Sequence, residues 1–258
     1  MHTLTIITIT YNNLAELKKT IRSFQRQTSH NKKIIVVDGD SNDGTKDWLK
    51  ECNIPQLTYI SEKDSGISDA FNKGIKAANS KWVCFLNSGD FFVNDNDLDV
   101  IERDISKVDD KNTFVVTYQA ITSPTNKTFP ANVELATPES RSMISHQASM
   151  IRRDAFELFG YFDLKFTLRM DYELFLRFFK TTSPHFIARP IILYDVKGRS
   201  SKLSNRPRFI LEGIIAEYLV LKKSNWYCIK KLYLIPKDIC KKILSYSYYR
   251  IRYNIDLF

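Results

Sequence analysis

The sequence predicts an α/β fold: a mostly parallel sheet with helices on both faces, followed by a helical basic tail. Three observations carry this. Strand-like and helix-like segments alternate through the first half of the chain. The strand-like segments are continuously apolar, as strands buried on both faces are, instead of alternating polar and apolar. Charge is unevenly placed. Of a formal net charge of +9 over 258 residues, Lys222 to Phe258 hold nine Lys or Arg against Asp238 and Asp256, a net of +7. The remainder is close to neutral, which argues against a basic body wrapped on nucleic acid and singles out the tail.

Leu4-Thr-Ile-Ile-Thr-Ile-Thr10 is β-branched and predicts the first strand. Asn12 or Asn13 is placed to cap the next helix, in which Leu14, Leu17, Ile21 and Phe24 recur at helical spacing. Lys33 to Asp38 predicts a second buried strand. A Gly/Asp/Ser/Asn loop then leads to a helix over Thr45 to Glu51. Leu57 to Ser61 is a third strand, Ile67 to Ala78 a helix weakened by Gly74, and Lys81 to Leu86 a fourth strand. A helix begins near Asp97 and a strand covers Thr113 to Tyr118. Ile121 to Ser145 reads as loops with room for a hairpin. Helices follow over Asp154 to Phe159 and over Asp171 to Phe179, which puts Leu174, Phe175 and Phe178 on one face. Phe186 to Tyr194 is a strand broken by Pro190, and Pro207 to Leu221 is helical.

No stretch approaches the roughly 20 apolar residues of a membrane-spanning helix, and the start, MHTLTIITIT, lacks the pattern of a signal peptide. Cys52, Cys84, Cys228 and Cys240 show no metal-ligand spacing. Cys84 reads as a buried small hydrophobe, which suits a reducing cytoplasm.

Parallel sheets bind ligands beyond the carboxyl ends of their strands. Polar residues gather at those ends: Thr10-Tyr11-Asn12, Asp38-Gly39-Asp40, Glu62-Lys63-Asp64 and Asn87-Ser88-Gly89-Asp90. Asp38 either accepts a ring N–H from a nucleobase stacked on Tyr11, or closes a turn and caps the next helix. Asp90 is either an oxygen ligand for a hard divalent cation or a plain turn residue. Asp64 and Asp69 can meet sugar hydroxyls and Lys73 a phosphate, or together they form the acidic start of an exposed helix. Asp171, at a helix start beside Arg169, can serve as a general base. Glu173 competes for that role, unless it pairs with Arg177 on the surface at i,i+4. His146-Gln147 is a polar pair ahead of a strand, and its histidine is open to a structural or a functional reading. In the tail, WYCIKKLYLIPKDICKKILSYSYYRIRYN interleaves basic and aromatic residues. That fits a membrane interface rich in anionic lipid, a helix packed on the domain, or an oligomer contact.

Taken in order, TITYNN, VVDGDSNDGT, EKDSGISDAFNKGI, FLNSGD and MDYELFLR resemble the family 2 glycosyltransferases. The similarity covers Leu4 to about Asp95 and, less evenly, His146 to about Ser201. It lies closest to bacterial enzymes that build O-antigen, capsule or colanic-acid-type polysaccharides. The resemblance implies a GT-A, Rossmann-like fold and an inverting transfer. The donor is a nucleotide sugar, UDP first. The acceptor is a hydroxyl of a lipid-linked or saccharide molecule. Thr10, Tyr11, Asn12 and Asp38 match positions at the nucleobase. Asp64, Asp69, Asn72 and Lys73 match those along the ribose and diphosphate, and Asn87, Ser88 and Gly89 belong to the same nucleotide-binding site. Asp90 matches the carboxylate that reaches a divalent metal ion, Mn2+ or Mg2+, and Asp171 the catalytic base. His146, Gln147 and Arg169 fall near the acceptor, and Gly198-Arg199-Ser200 in a loop over the donor phosphates.

The sequence departs from the family's pattern in three places. The usual Asp-X-Asp after the fourth strand has Asn87 and Gly89 at its two carboxylate positions, which leaves Asp90 alone. Gly39-Asp40 inverts the usual order. An aromatic-rich acceptor motif after the base is absent, which implies a non-processive enzyme. The expected division is a catalytic domain over 1–205, with a nucleotide-sugar half at 1–95 and an acceptor half at 96–205. Residues 206–258 then form an extension that holds the protein on the inner face of the cytoplasmic membrane. Homo-oligomerisation stays open. The alternatives are a catalytically weak nucleotide-sugar-binding module and a nucleotidyltransferase, although the latter normally carries a Gly-rich loop that TITYNNLAEL lacks.

Overall fold

The computed structural model describes residues 3–108, 112–195, 203–224, 226–228 and 231. Its strands are β1 (Leu4–Thr10), β2 (Ile34–Asp38), β3 (Leu57–Ser61), β4 (Trp82–Phe85), β5 (Phe91–Phe92), β6 (Val115–Ser123), β7 (Lys127–Phe129), β8 (Ser149–Arg152) and β9 (His185–Asp195). They form one sheet in the order β3-β2-β1-β4-β8-β6-β9-β5, with β7 paired to β6. The helices are α1 (Leu14–Arg26), α2 (Thr45–Glu51), α3 (Ile67–Ala77), α4 (Asp97–Ile105), α5 (Pro138–Arg141), α6 (Asp154–Phe159), α7 (Met170–Phe179) and α8 (Arg206–Leu221).

The first half of the sheet is parallel, as the continuously apolar strands predict: β3, β2, β1 and β4 all run one way. The second half is mixed. β8 is antiparallel to both β4 and β6, whereas β6 and β9 are parallel. Alternate residues of each inner strand feed opposite cores. Leu4, Ile6, Ile34 and Val36 pack with Leu17, Ile21 and Phe24 of α1 and with Leu98 and Ile101 of α4. Ile7, Ile35 and Val37 pack with Phe71 and Ile75 of α3 and with the aromatic residues of α6 and α7. Both faces are therefore covered by helices.

Three local expectations need correction. Neither Asn12 nor Asn13 caps α1 with its side chain. The Leu14 N–H donates instead to Asp43 Oδ2 at 2.9 Å, from the loop after β2. Pro190 does not break β9. The strand continues through it, although its pairing with β6 is irregular there, with register shifts on both sides of the Gln119–Pro190 pair. The helix after residue 205 is no separate appendage in its packing, because Leu211, Ile214, Ile215 and Ala216 of α8 sit in the same core as α7.

The strand directions decide where a site forms. β8 runs antiparallel to β4, so His146 and Gln147, just ahead of it, lie at the carboxyl end of β4. β9 runs parallel to β6 and hence antiparallel to β8, so Tyr194, near its end, arrives at the same edge.

Candidate active site

The turn after β4 is held from α1. The Thr20 hydroxyl, fully buried, accepts from the Gly89 N–H at 2.9 Å and donates to the Asp90 carbonyl at 2.9 Å. Gly89 takes a left-handed φ of 101°, a conformation that costs glycine little. Ser88 donates its hydroxyl to the Ile9 carbonyl at 2.9 Å, which ties the turn to the end of β1. Asn87 and Asp90 are thus fixed in place.

Across from this turn stands Asp171, in the first turn of α7. His146 Nδ1 lies 3.0 Å from Asp171 Oδ2, and His146 Nε2 lies 3.4 Å from Asn87 Nδ2. One imidazole therefore links the candidate base to the turn that carries Asp90. The Tyr172 N–H donates to Asp171 Oδ1 at 2.8 Å. Burial pushes the Asp171 carboxyl upward. The His146 hydrogen bond, the Arg169 charge and the Tyr172 N–H outweigh it and hold the group below the ordinary carboxylate value. Its side chain keeps 29% of its surface open, enough to meet a substrate.

Asp90 has the opposite setting. It is 6% exposed, and burial pushes its carboxyl up to about 7 against the pull of His146, Asn87 and Gln147. Asp90 Oδ2 and Asn87 Oδ1 are both buried without a hydrogen-bond partner. Orphaned buried oxygens are costly, so they point to a missing partner. Two hard oxygens with one carboxylate fit a Mg2+ or Mn2+ ion that takes its other ligands from phosphates and water. No group of three or more His, Cys, Asp or Glu side chains able to hold a metal occurs among the described residues.

The remaining expected residues divide into those at the strand ends and those engaged elsewhere. Tyr11 is 65% exposed, so its ring is open to stacking. Asn12, with a φ of 47°, donates its N–H to the Ser41 hydroxyl at 2.7 Å and accepts from the Asn42 N–H at 2.8 Å. This binds the loops after β1 and β2 together. Thr10 is buried with its hydroxyl unpartnered. Asp38 is fully buried and accepts from the Ser61 hydroxyl at 2.7 Å and the Ser41 N–H at 3.2 Å. It closes the turn, whereas Asp43, ahead of the Gly44 N-cap of α2, accepts from the Thr45 N–H at 3.2 Å and the Thr45 hydroxyl at 2.6 Å. Asp64 accepts from the Gly66 N–H at 2.8 Å, and its carboxylate lies against Gly39, beside the Tyr11 ring.

Asn72 is not free for a ligand. Its amide donates to the Phe162 carbonyl at 2.9 Å and accepts from the Phe162 N–H at 3.0 Å. Lys73 is likewise engaged, with Glu62 and the Lys63 carbonyl each at 2.8 Å. Asp69 accepts from the Ser65 N–H at 2.9 Å. Gln147 accepts from the Ser145 hydroxyl at 2.8 Å and faces Asp90. Arg169 is stacked, its guanidinium 3.8 Å from the Tyr172 ring and 4.5 Å from the Phe209 ring. Glu173 does not compete with Asp171. It is 5% exposed and bound to Arg177 at 2.7 Å, and Arg177, half-buried, donates also to the Gly160 and Tyr161 carbonyls, so the pair is packed against the loop after α6 instead of lying free on the surface. Arg199 and Ser200 lie outside the described residues.

Three contributors escaped sequence reasoning. Burial raises the Tyr194 hydroxyl, and the Asp90 and Asp171 carboxylates raise it further. Its place at the end of a strand was the available signal. Thr20 gives no such signal, because nothing in a helix sequence marks which hydroxyl will meet a distant turn. Glu212 of α8 is fully buried and accepts from the N–H groups of Thr167, Leu168 and Arg169 at 2.8–3.1 Å, so it fixes the entry to α7.

The family described as Glycosyl transferase family 2 matches residues 5–173. An uncharacterized glycosyltransferase of Mycobacterium tuberculosis is 28% identical over 210 residues, 77% of each chain. A PGL/p-HBAD biosynthesis glycosyltransferase of Mycobacterium bovis is 27% identical over 188 residues, 71% of this chain and 72% of that one. Among solved structures, TarS of S. aureus, residues 1–349, superposes with a TM-score of 0.64 at 15% identity, over 96% of this chain and 73% of that one. TarS is also known in complex with UDP and with UDP-GlcNAc. The mannosyltransferase PcManGT from Pyrobaculum calidifontis, in complex with GDP-Man and Mn2+, gives 0.64 at 15% identity over 86% and 64%.

Proposed function

The chain belongs to glycosyl transferase family 2, and from that premise we propose that it is an inverting enzyme. It moves a sugar from a nucleoside-diphosphate donor, UDP-linked in the first instance, to a hydroxyl of a lipid-linked or saccharide acceptor. The observation that carries this is the cluster at the strand ends: Asp171 held by His146, which itself reaches Asn87 beside Asp90. The UDP complexes of TarS support the choice of donor, and the relatives of PGL/p-HBAD biosynthesis support a biosynthetic role.

Each residue then has a task. The nucleobase lies on the open Tyr11 ring, over the turn that Asp38 and Ser41 close. Asp64 faces the ribose from the neighbouring loop. Asp90 and Asn87 would hold the divalent ion, whose chemistry is to neutralise charge on the departing diphosphate. Asp171, ionised, takes the proton of the acceptor hydroxyl. The acceptor oxygen bonds to the sugar C1 from the face opposite the diphosphate, which leaves with the electron pair of the broken C1–O bond. Alignment of the two substrates contributes several kcal/mol more. Residues 1–95 serve the donor and 96–205 the acceptor, while the basic segment beyond α8 keeps the protein near a membrane-borne acceptor.

The test is transfer and donor hydrolysis over a panel of nucleotide sugars with Mn2+, comparing wild type with Asp171→Asn. Loss of the base should lower kcat by roughly 10²–10⁴ while donor binding persists. Unchanged turnover in the variant removes Asp171 from the chemistry. Donor binding without turnover by the wild type, over a broad acceptor set, favours a binding module instead.

A further inference from the structure

We infer that Arg169 binds a phosphate carried by the acceptor, close to the hydroxyl that Asp171 deprotonates. The inference rests on the reading of Asp171 as the base, and it names the acceptor's class: a phosphorylated hydroxyl compound. Arg169 is the N-cap residue of α7, and Asp171 follows two residues on, in the first turn. The Arg169 guanidinium lies 3.8 Å from the ring of Tyr172, the residue after the base, and 4.5 Å from the Phe209 ring of α8. The two rings fix where its charge sits. Burial raises the Asp171 carboxyl, and the Arg169 charge is among the groups that pull it back down, so the guanidinium is within electrostatic reach of the base.

The neighbouring arginines are paired and this one is not. Arg177 of α7 is bound to Glu173 at 2.7 Å, and Arg208 of α8 to Glu212 at 2.9 Å. Among the described residues no carboxylate pairs with Arg169. Its Nε is buried with no hydrogen-bond partner, where a β-carbon on Gly213 of α8 would come within 3.5 Å of it. The side chain as a whole is part-exposed, so Nη1 and Nη2 are the end that a ligand can reach.

Joining α7 to α8 does not require this residue. Glu212 already holds the N–H groups of Thr167, Leu168 and Arg169, and Leu211, Ile214 and Ile215 pack in the core of α7. A methionine between the two rings would fill the slot without burying an unpaired nitrogen, which is costly. A ligand that supplies the missing negative charge accounts for the arginine. Its planar fork matches two oxygens of one phosphate. A hydroxyl on Asp171 and a phosphate on Arg169 then belong to one molecule, a few bonds apart. Two sources share this chemistry: a water-soluble polyol or sugar phosphate, and the phosphate of a lipid-linked sugar.

The experiment is calorimetric titration of the full chain, saturated with UDP and Mg2+ so that the donor's own phosphate site is filled. The probes are glycerol 3-phosphate, glycerate, glycerol, and farnesyl phosphate in detergent micelles. A phosphate probe should bind more tightly than glycerol, and the tighter of the two phosphates tells the soluble source from the lipid one. Arg169→Met should weaken that probe by about tenfold. Arg169→Lys keeps the charge without the fork, so it should lose less and still fall below wild type. Thermal melting shows that each variant is folded, and if Arg169→Met is not, Arg169→Lys carries the test. Equal phosphate binding by wild type and the folded variants overturns the inference, whatever happens to Tm, and leaves Arg169 as a joint between α7 and α8. Binding of neither phosphate by wild type overturns it too, as does tighter binding of glycerate. If UDP does not bind, the proposed donor fails by itself, and the same titrations of the UDP-free chain decide the role of Arg169.

Discussion

At the scale of the residue, Asp171 shows how two opposing effects set a base. Burial alone would keep its proton on, and the hydrogen bond from His146 with the charge of Arg169 wins against it. The sign follows. With its carboxyl below the ordinary value, Asp171 is ionised throughout the neutral range and stops accepting a proton only as acid drives the pH down through that lowered value, whereas Asp90, pushed up to about 7, takes up its proton first. Removal of the His146 hydrogen bond leaves burial less opposed, so the carboxyl moves up. His146→Ala should therefore shift the acid limb of kcat/KM to higher pH, as measured from about pH 4 to 8. An unshifted limb would mean that His146 does not tune the base. Such balances are only half visible in a sequence. That Asp171 heads a helix and Asp90 ends a strand could be read from apolar periodicity alone. That Glu173, two residues on, is buried with Arg177 could not, because i,i+4 spacing fixes the pair and leaves open which face of the helix it occupies. Asn72 and Lys73 teach the same lesson: their positions were legible and their partners, Phe162 and Glu62, were not.

At the scale of the element, α7 is placed by α8. The Glu212 carboxylate receives three consecutive backbone N–H groups ahead of α7, the Thr167 hydroxyl and Arg208 at 2.9 Å. These N–H groups lie just ahead of the helix, where a buried N–H without a partner is costly. Glu212→Ala strips all of them at once in a fully buried setting. It should cost about 3 kcal/mol, a fall in Tm of roughly 6–12 °C, and it should lower kcat because Asp171 loses its support. A melting curve like that of wild type would show that α7 is held by apolar packing alone. On the other side of the sheet, Gly74 looked like a flaw in α3. The structure gives it a reason, since a β-carbon there would overlap Ile7 Cγ2 of β1. Gly74→Ala should thus destabilise by about 1–3 kcal/mol through overpacking, despite the better helix propensity of alanine. Increased stability would mean that α3 can lift off β1 without loss. Helix propensity was readable in advance, but the distance between two elements is a property of their packing and was not.

At the scale of the whole molecule, the question is what the positive charge at the end of the chain does. Among the described residues no helix is long and apolar enough to cross a membrane. Two of the basic residues beyond α8 are already engaged by the body of the protein. Lys223 pairs with Glu139 at 2.9 Å, and Lys231 pairs with Glu217 at 2.5 Å, on a carboxylate that also accepts from Tyr172 and Tyr227. Cys228 is buried in the core. This segment is therefore docked, and its two paired lysines are poorly placed to attract lipid. The rest of the tail, which includes Lys237, Lys241, Lys242, Arg250 and Arg252, lies outside the described residues and carries the membrane expectation on its composition. Each basic residue near an anionic surface contributes about 1 kcal/mol, screened by salt. Two truncations separate the roles. A chain cut after Lys231 should keep its Tm and its Mn2+ binding but lose co-sedimentation with phosphatidylserine vesicles, which in the full chain should weaken as salt rises. A chain cut after Leu221 should lose vesicle binding and also melt lower, because Glu217 is then buried beside Tyr172 without Lys231. Full vesicle binding by the shorter chains would place the membrane contact elsewhere. Equal melting of both would mean that the ion pairs beyond α8 stabilise nothing, as exposed pairs often do.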